Sequence, residues 1–92
     1  MTVCIHQDAI DLPAPEESAK QGAVCEDCVK IGGRWLHLRY CRTCGHVGCC
    51  DSSPNRHARA HAAAEDHPII TSMEPGEHWS WCYEDEAGVR PA

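Results

Sequence analysis

From Trp35 to Cys41 the chain reads "WLHLRYC", and its side chains alternate. Trp35, His37, Arg39 and Cys41 fall on one side, Leu36, Leu38 and Tyr40 on the other. That is the period of a β-strand, and Gly32-Gly33 supplies the turn before it. Further on, "IITSM", the turn "EPGE" and "HWSWCY" predict a hairpin, with Pro75-Gly76 in the order that a type II turn takes. Between these strands lies "PNRHARAHAAAED", rich in strong helix formers. Ser53 offers a hydroxyl to cap free backbone N–H groups, Pro54 suits a first helical turn, and Pro68 blocks further extension. One main helix is therefore predicted over about residues 54–65. The stretch "DLPAPEESAKQ", residues 11–21, joins prolines to polar residues and is expected as a mobile solvated loop or short helix. The tail over 86–92 is expected to fray. The pattern predicts a single α+β domain over residues 1–92: a small twisted antiparallel sheet of about four to five strands with one main helix packed on it.

Composition shows what such a fold lacks. There is no Phe, and the large apolar groups reduce to a few Leu, Ile and Val plus three Trp. A 92-residue chain with so thin a core needs extra constraints. Eight Cys and seven His are the candidates. An even cysteine count fits disulfides or metal sites. The amino terminus "MTVCIHQDAIDLP" has neither a basic nor an apolar leader region, so a reducing cytoplasmic location is expected, and no run reaches membrane-spanning length. Histidines interleaved with the cysteines favour metal, because disulfides have no use for imidazole. The net charge of −6, from 14 Asp and Glu against 8 Lys and Arg, argues against a nucleic-acid partner, which needs a basic face.

The ligand spacing is specific. Cys25-Glu-Asp-Cys28 and Cys41-Arg-Thr-Cys44 are two C-x2-C units, each able to present two thiolates to one tetrahedral ion. His57 and His61 are four apart and share a helix face, and His67 follows just past the helix. One of Cys49 and Cys50 completes two four-ligand sites. His37, His46 and His78 lack partner spacing and read as surface or hydrogen-bonded residues.

These residues, from "CIH" through both C-x2-C units, "WLHL", the Cys49/Cys50 pair and "H-x3-H-x5-H" to "WCY", resemble the ubiquitin-protease (UBP) type zinc finger, especially its short stand-alone bacterial members. The resemblance implies interleaved zinc sites: Cys25, Cys28, Cys49 and His57 on one ion, Cys41, Cys44, His61 and His67 on a second. Cys49 matches the family spacing from Cys44, with Cys50 as the alternative ligand. A third zinc would take Cys4, His6, Cys82 and Asp85, Asp85 standing where multi-zinc members carry a last cysteine.

The resemblance also implies a non-catalytic interaction module. In ubiquitin-binding members an aromatic pocket takes the free carboxyl-terminal Gly-Gly of ubiquitin, and Trp35, Trp81 and Tyr83 match its aromatic wall. Asp51 stands at the position of the family's carboxylate-binding arginine, and a negative charge there opposes a carboxylate. The expected partner is therefore an unidentified protein or peptide, through a free carboxyl-terminal tail, rather than ubiquitin; no membrane partner is expected. Arg34, Arg39, Arg56 or the backbone at Ser52-Ser53 are the alternative carboxylate contacts. Two other classes remain. An open site of Cys4, His6 and Cys82 with a water, and Glu84, Asp85 or Glu86 as base, would make a small zinc hydrolase. A reactive Cys50, or zinc release on oxidation, would make a thiol redox sensor.

Overall fold

The computed structural model describes residues 9–89. Two short helices, α1 (Glu17–Lys20) and α2 (Glu26–Ile31), precede strands β1 (Leu38–Cys41) and β2 (Val47–Cys49). Helix α3 (His57–Glu65) follows, then β3 (Ile69–Ser72), β4 (Ser80–Cys82) and β5 (Ala87–Gly88). The strands form one antiparallel sheet in the order β2-β1-β3-β4-β5. The α+β class and the strand number match the sequence expectation.

Because side chains alternate across a strand, the register sorts the residues onto two faces. Arg39 opposes Gly48 and Ser72, Cys41 opposes Ile70, and Ile70 opposes Trp81, so these share one face. Helix α3 packs there, close enough that a methyl group on Gly48 would lie 2.6 Å from the backbone nitrogen of Ala58. The other face carries Leu38, Cys49, Ile69, Thr71, Ser80 and Cys82. Two small apolar clusters form the core: Cys25, Cys28, Leu38, Cys49 and Met73 at one end, and Ile69, Cys82 and Val89, with Ile10 against them, at the other. Four of these eight buried residues are cysteines, which shows how little ordinary hydrocarbon holds the fold.

Three local expectations are corrected. The helix begins at His57, not near Pro54, because Ser53 does not cap it: its Oγ accepts from the Leu36 N–H at 2.8 Å. Arg56 is left-handed at φ 48°, and the Cys49 sulfur accepts the first helical N–H, that of His57, at 3.1 Å. Residues Trp35 to His37 lie before the strand, since β2 and β3 reach only as far as Leu38 and Arg39. The first C-x2-C unit runs into α2, which Gly32 ends in a left-handed cap, φ 67°. The chain past Glu86 is not frayed as far as Val89: Ala87 and Gly88 pair with β4, and Val89 is buried.

Residues 11–21 contain the single turn of α1. The N–H groups of Asp11 and Leu12 donate to the Arg42 carbonyl, and buried Lys20 donates to the Glu77 carbonyl. Among the described residues no helix is long and apolar enough to cross a membrane.

Candidate metal centre and adjoining groove

The C-x2-C unit at α2, the end of β2 and the start of α3 converge on one point. His57 Nδ1 lies 3.3 Å from Cys25 Sγ, 3.2 Å from Cys28 Sγ and 3.6 Å from Cys49 Sγ, and the sulfurs of Cys28 and Cys49 are 3.8 Å apart. A tetrahedron with Zn–S bonds of about 2.3 Å and Zn–N bonds of about 2.0 Å has S···S edges of roughly 3.8 Å and S···N edges of roughly 3.5 Å. These four separations lie within about 0.3 Å of the edges that a zinc tetrahedron requires. All three thiols are fully buried, and burial pushes Cys25 up to about 12. A bound cation is what would hold such sulfurs as thiolates, releasing their protons. The His57 N–H on Cys49 and the Asn55 amide on Cys28, at 3.8 Å, would stabilise the charged sulfurs further.

The second cluster spans the β1–β2 turn and the far end of α3. Cys41 Sγ lies 3.5 Å from His67 Nδ1, and Cys44 Sγ lies 3.3 Å from His61 Nε2. In each cluster all four ligand atoms fall within 4.8 Å of one another, so the two could hold two zinc ions. Burial, with His46 and His67 nearby, keeps His61 below the usual imidazole value, in the neutral form that ligates metal.

Comparison with known proteins agrees with this chemistry. The family described as "Zn-finger in ubiquitin-hydrolases and other protein" matches residues 25–92, most of the chain. The chain belongs to this UBP-type zinc-finger family. A solution NMR structure of protein RPA1320 from Rhodopseudomonas palustris is similar at 50% identity and a TM-score of 0.75, covering 97% of this chain and 82% of that one. No curated protein matches.

In this UBP-type finger, Cys50 stands beside the first cluster but not in it. It is buried and lies 3.6 Å from the Ser53 hydroxyl. Burial alone would raise its thiol, but hydrogen bonds from Ser53 and from the backbone of His37 and Ser52, with Arg39 nearby, bring it below the ordinary value. Of the residues expected at a third site, Cys4 and His6 lie outside the described residues. Cys82 Sγ and Asp85 Oδ2 are 3.7 Å apart on the β4–β5 turn.

The aromatic residues divide. Trp81 and Tyr83 line a cavity of about 250 Å³ on the helix-bearing face, together with Arg39, Cys50, Asp51, Ser52, Ile70 and Trp79. Trp35 is not among them; it packs on the cluster of Cys25, Cys28, Leu38, Cys49 and Met73. Trp79 takes its place, with the Arg39 guanidinium 4.5 Å from its ring centre. The two-residue spacing of Trp79, Trp81 and Tyr83 carried that signal. Asp51 is held by Arg59, whose Nε and terminal nitrogen lie 2.9 and 2.6 Å away, and Arg59 in turn lies 4.8 Å over the Tyr83 ring.

His46, read as an ordinary residue, supports the second cluster. It stacks on His61 at 4.3 Å between ring centres, and its Nε2 lies 2.8 Å from Asp27 Oδ2. Asp27 is on α2, between Cys25 and Cys28, so this contact links the two clusters. His37 Nδ1 lies 3.1 Å from Glu74 Oε1, and His78 Nε2 lies 3.3 Å from Glu17 Oε1.

Proposed function

We propose that this finger is a non-catalytic protein-interaction module that takes an extended peptide end, a free carboxyl terminus, in the groove of Trp79, Trp81 and Tyr83. The observation that carries the reading is Arg39. Its guanidinium lines the groove, over Trp79, and donates to the Leu38 carbonyl at 3.0 Å. A carboxylate entering there meets a cation and aromatic faces, the combination that recognises chain ends. Asp51 does not forbid this, because the Arg59 guanidinium already matches its charge. The cavity lies below the about 300–1,000 Å³ usual for small-molecule sites, which favours a narrow extended chain over a compact ligand.

Tryptophan fluorescence tests the reading. A short peptide ending in a free carboxylate should quench the groove tryptophans saturably, its carboxamide should bind at least about tenfold more weakly, and Arg39→Gln should remove the difference. Equal binding of acid and amide, or no binding of any of a varied peptide set, would refute it. Ubiquitin with its Gly-Gly tail, beside ubiquitin lacking it, belongs in the same titration. Tail-dependent binding lost in Arg39→Gln would name the terminus.

A further inference from the structure

The two ligand clusters meet solvent very differently. Cys25, Cys28 and Cys49 are each 0% exposed, sealed under Leu38, Met73, Trp35 and Tyr40. In the other cluster Cys44 is exposed, and His61 and His67 are only half-buried. Cys41 and Cys44 also sit in one C-x2-C turn, so an oxidised Cys44 has a resolving thiol beside it. A soft oxidant reacts with a thiolate it can approach, and a second thiol nearby turns the first product into a disulfide.

We propose that the Cys41, Cys44, His61 and His67 site is a peroxide-responsive zinc site, which gives up its ion while the buried site keeps the fold. The Cys44 thiolate attacks one peroxide oxygen; the O–O bond breaks, a sulfenic acid forms, and hydroxide leaves to be protonated to water. The Cys41 thiolate then attacks the Cys44 sulfur, forming the S–S bond and displacing a second hydroxide, which also becomes water. Two thiolates and hydrogen peroxide, with two protons, thus give one disulfide and two waters. The two electrons come from sulfur, and the ion, now facing only two imidazoles, leaves unreduced as Zn²⁺.

The consequence is local. His61 and His67 lose their shared anchor to the β1–β2 turn, whereas His57 still ties the start of α3 to the buried site. The outer half of α3 is released and the core around Cys25, Cys28 and Cys49 remains.

The test treats the zinc-loaded protein with one equivalent of hydrogen peroxide and follows zinc with a coloured indicator, native mass spectrometry and disulfide mapping. The expected result is loss of the ion held by Cys41 and Cys44, a Cys41–Cys44 disulfide, and unmodified Cys25, Cys28 and Cys49 on a retained zinc. A thiol reductant with added zinc should restore the starting mass. Cys50→Ser checks the competing thiol and should release zinc like the parent. Release of both ions together, a first disulfide through Cys25, Cys28 or Cys49, loss of the response in Cys50→Ser, or no zinc release would each overturn the proposal.

Discussion

Substituting Gly48 by Ala is a sharp test of how the metal centre is built. The backbone at Gly48 is not in the left-handed region, so the cost is purely steric. The new methyl carbon would stand 2.6 Å from the Ala58 nitrogen, 2.8 Å from its Cα and 3.0 Å from the His57 carbonyl carbon. All three are backbone atoms, so no side chain can swing aside. Ordinary carbon contacts begin near 3.4 Å. The start of α3 must therefore retreat by roughly 0.8 Å from β2, an overpacking that costs about 1–3 kcal/mol. Cys49 lies next to Gly48 on β2 and His57 begins α3, so the same movement opens the first cluster, where metal–ligand distances tolerate only about 0.2 Å. At about 1.4 kcal/mol per tenfold, zinc affinity at that cluster should fall roughly 5- to 150-fold. Competition with a coloured chelator measures this, with a thermal melt beside it. Gly88→Ala is the control: the nearest atom to its methyl group is the Ser80 carbonyl oxygen at 4.0 Å, far from either cluster's ligands, and it should cost less than about 0.5 kcal/mol. Parental zinc affinity and melting in Gly48→Ala would refute the claim that contact between β2 and α3 sets the ligand geometry.

Other outcomes follow from the same structure. Cys28→Ala removes a ligand from the buried cluster and should leave an unfolded chain, seen as loss of amide dispersion at saturating zinc; a folded protein with its full metal content would contradict the assignment. Ser53→Ala leaves the Leu36 N–H without its acceptor and should cost about 1–3 kcal/mol in denaturant unfolding, with zinc content unchanged. Burial, with Asp51 nearby, pushes the Tyr83 phenol up to about 12, against 10 for an exposed one. Folding therefore holds Tyr83 protonated, and its contribution is intact below pH 10 and lost as pH rises through about 12. A phenolate absorbance titration of the parent against Tyr83→Phe should show that late midpoint, and a difference curve centred near 10 would refute the burial argument.

What the sequence made legible, and what it hid, divides along local and tertiary lines. The ligand residues were readable because C-x2-C and H-x3-H spacings are local, but their sorting into two clusters was not: His57 and His61 share a helix face yet join different sets of cysteines, and only the family resemblance implied that. The start of α3 was not. Ser53-Pro54 carries good capping chemistry, but the Ser53 hydroxyl serves Leu36, 17 residues away, and a sulfur takes over the cap. Helix α2 was hidden because its Val29 and Ile31 are exposed, at 58% and 65%, so no buried stripe marks it. The alternation of Trp79, Trp81 and Tyr83 showed a common face but not which side it took. Helix α3 covers one side of this sheet and Ile10 packs on the other, so apolar residues occur on both. Strand β5 needed β4 beside it, and two residues carry too little pattern to announce a strand.

The most direct measurement is an amide correlation spectrum of one sample before zinc is chelated, after chelation, and after zinc is returned. Chemical shifts should be widely spread with metal, collapse towards those of an unfolded chain without it, and return in full. A metal-free spectrum as dispersed as the first would mean that hydrocarbon packing alone holds this fold, contrary to the account given by its eight cysteines and seven histidines.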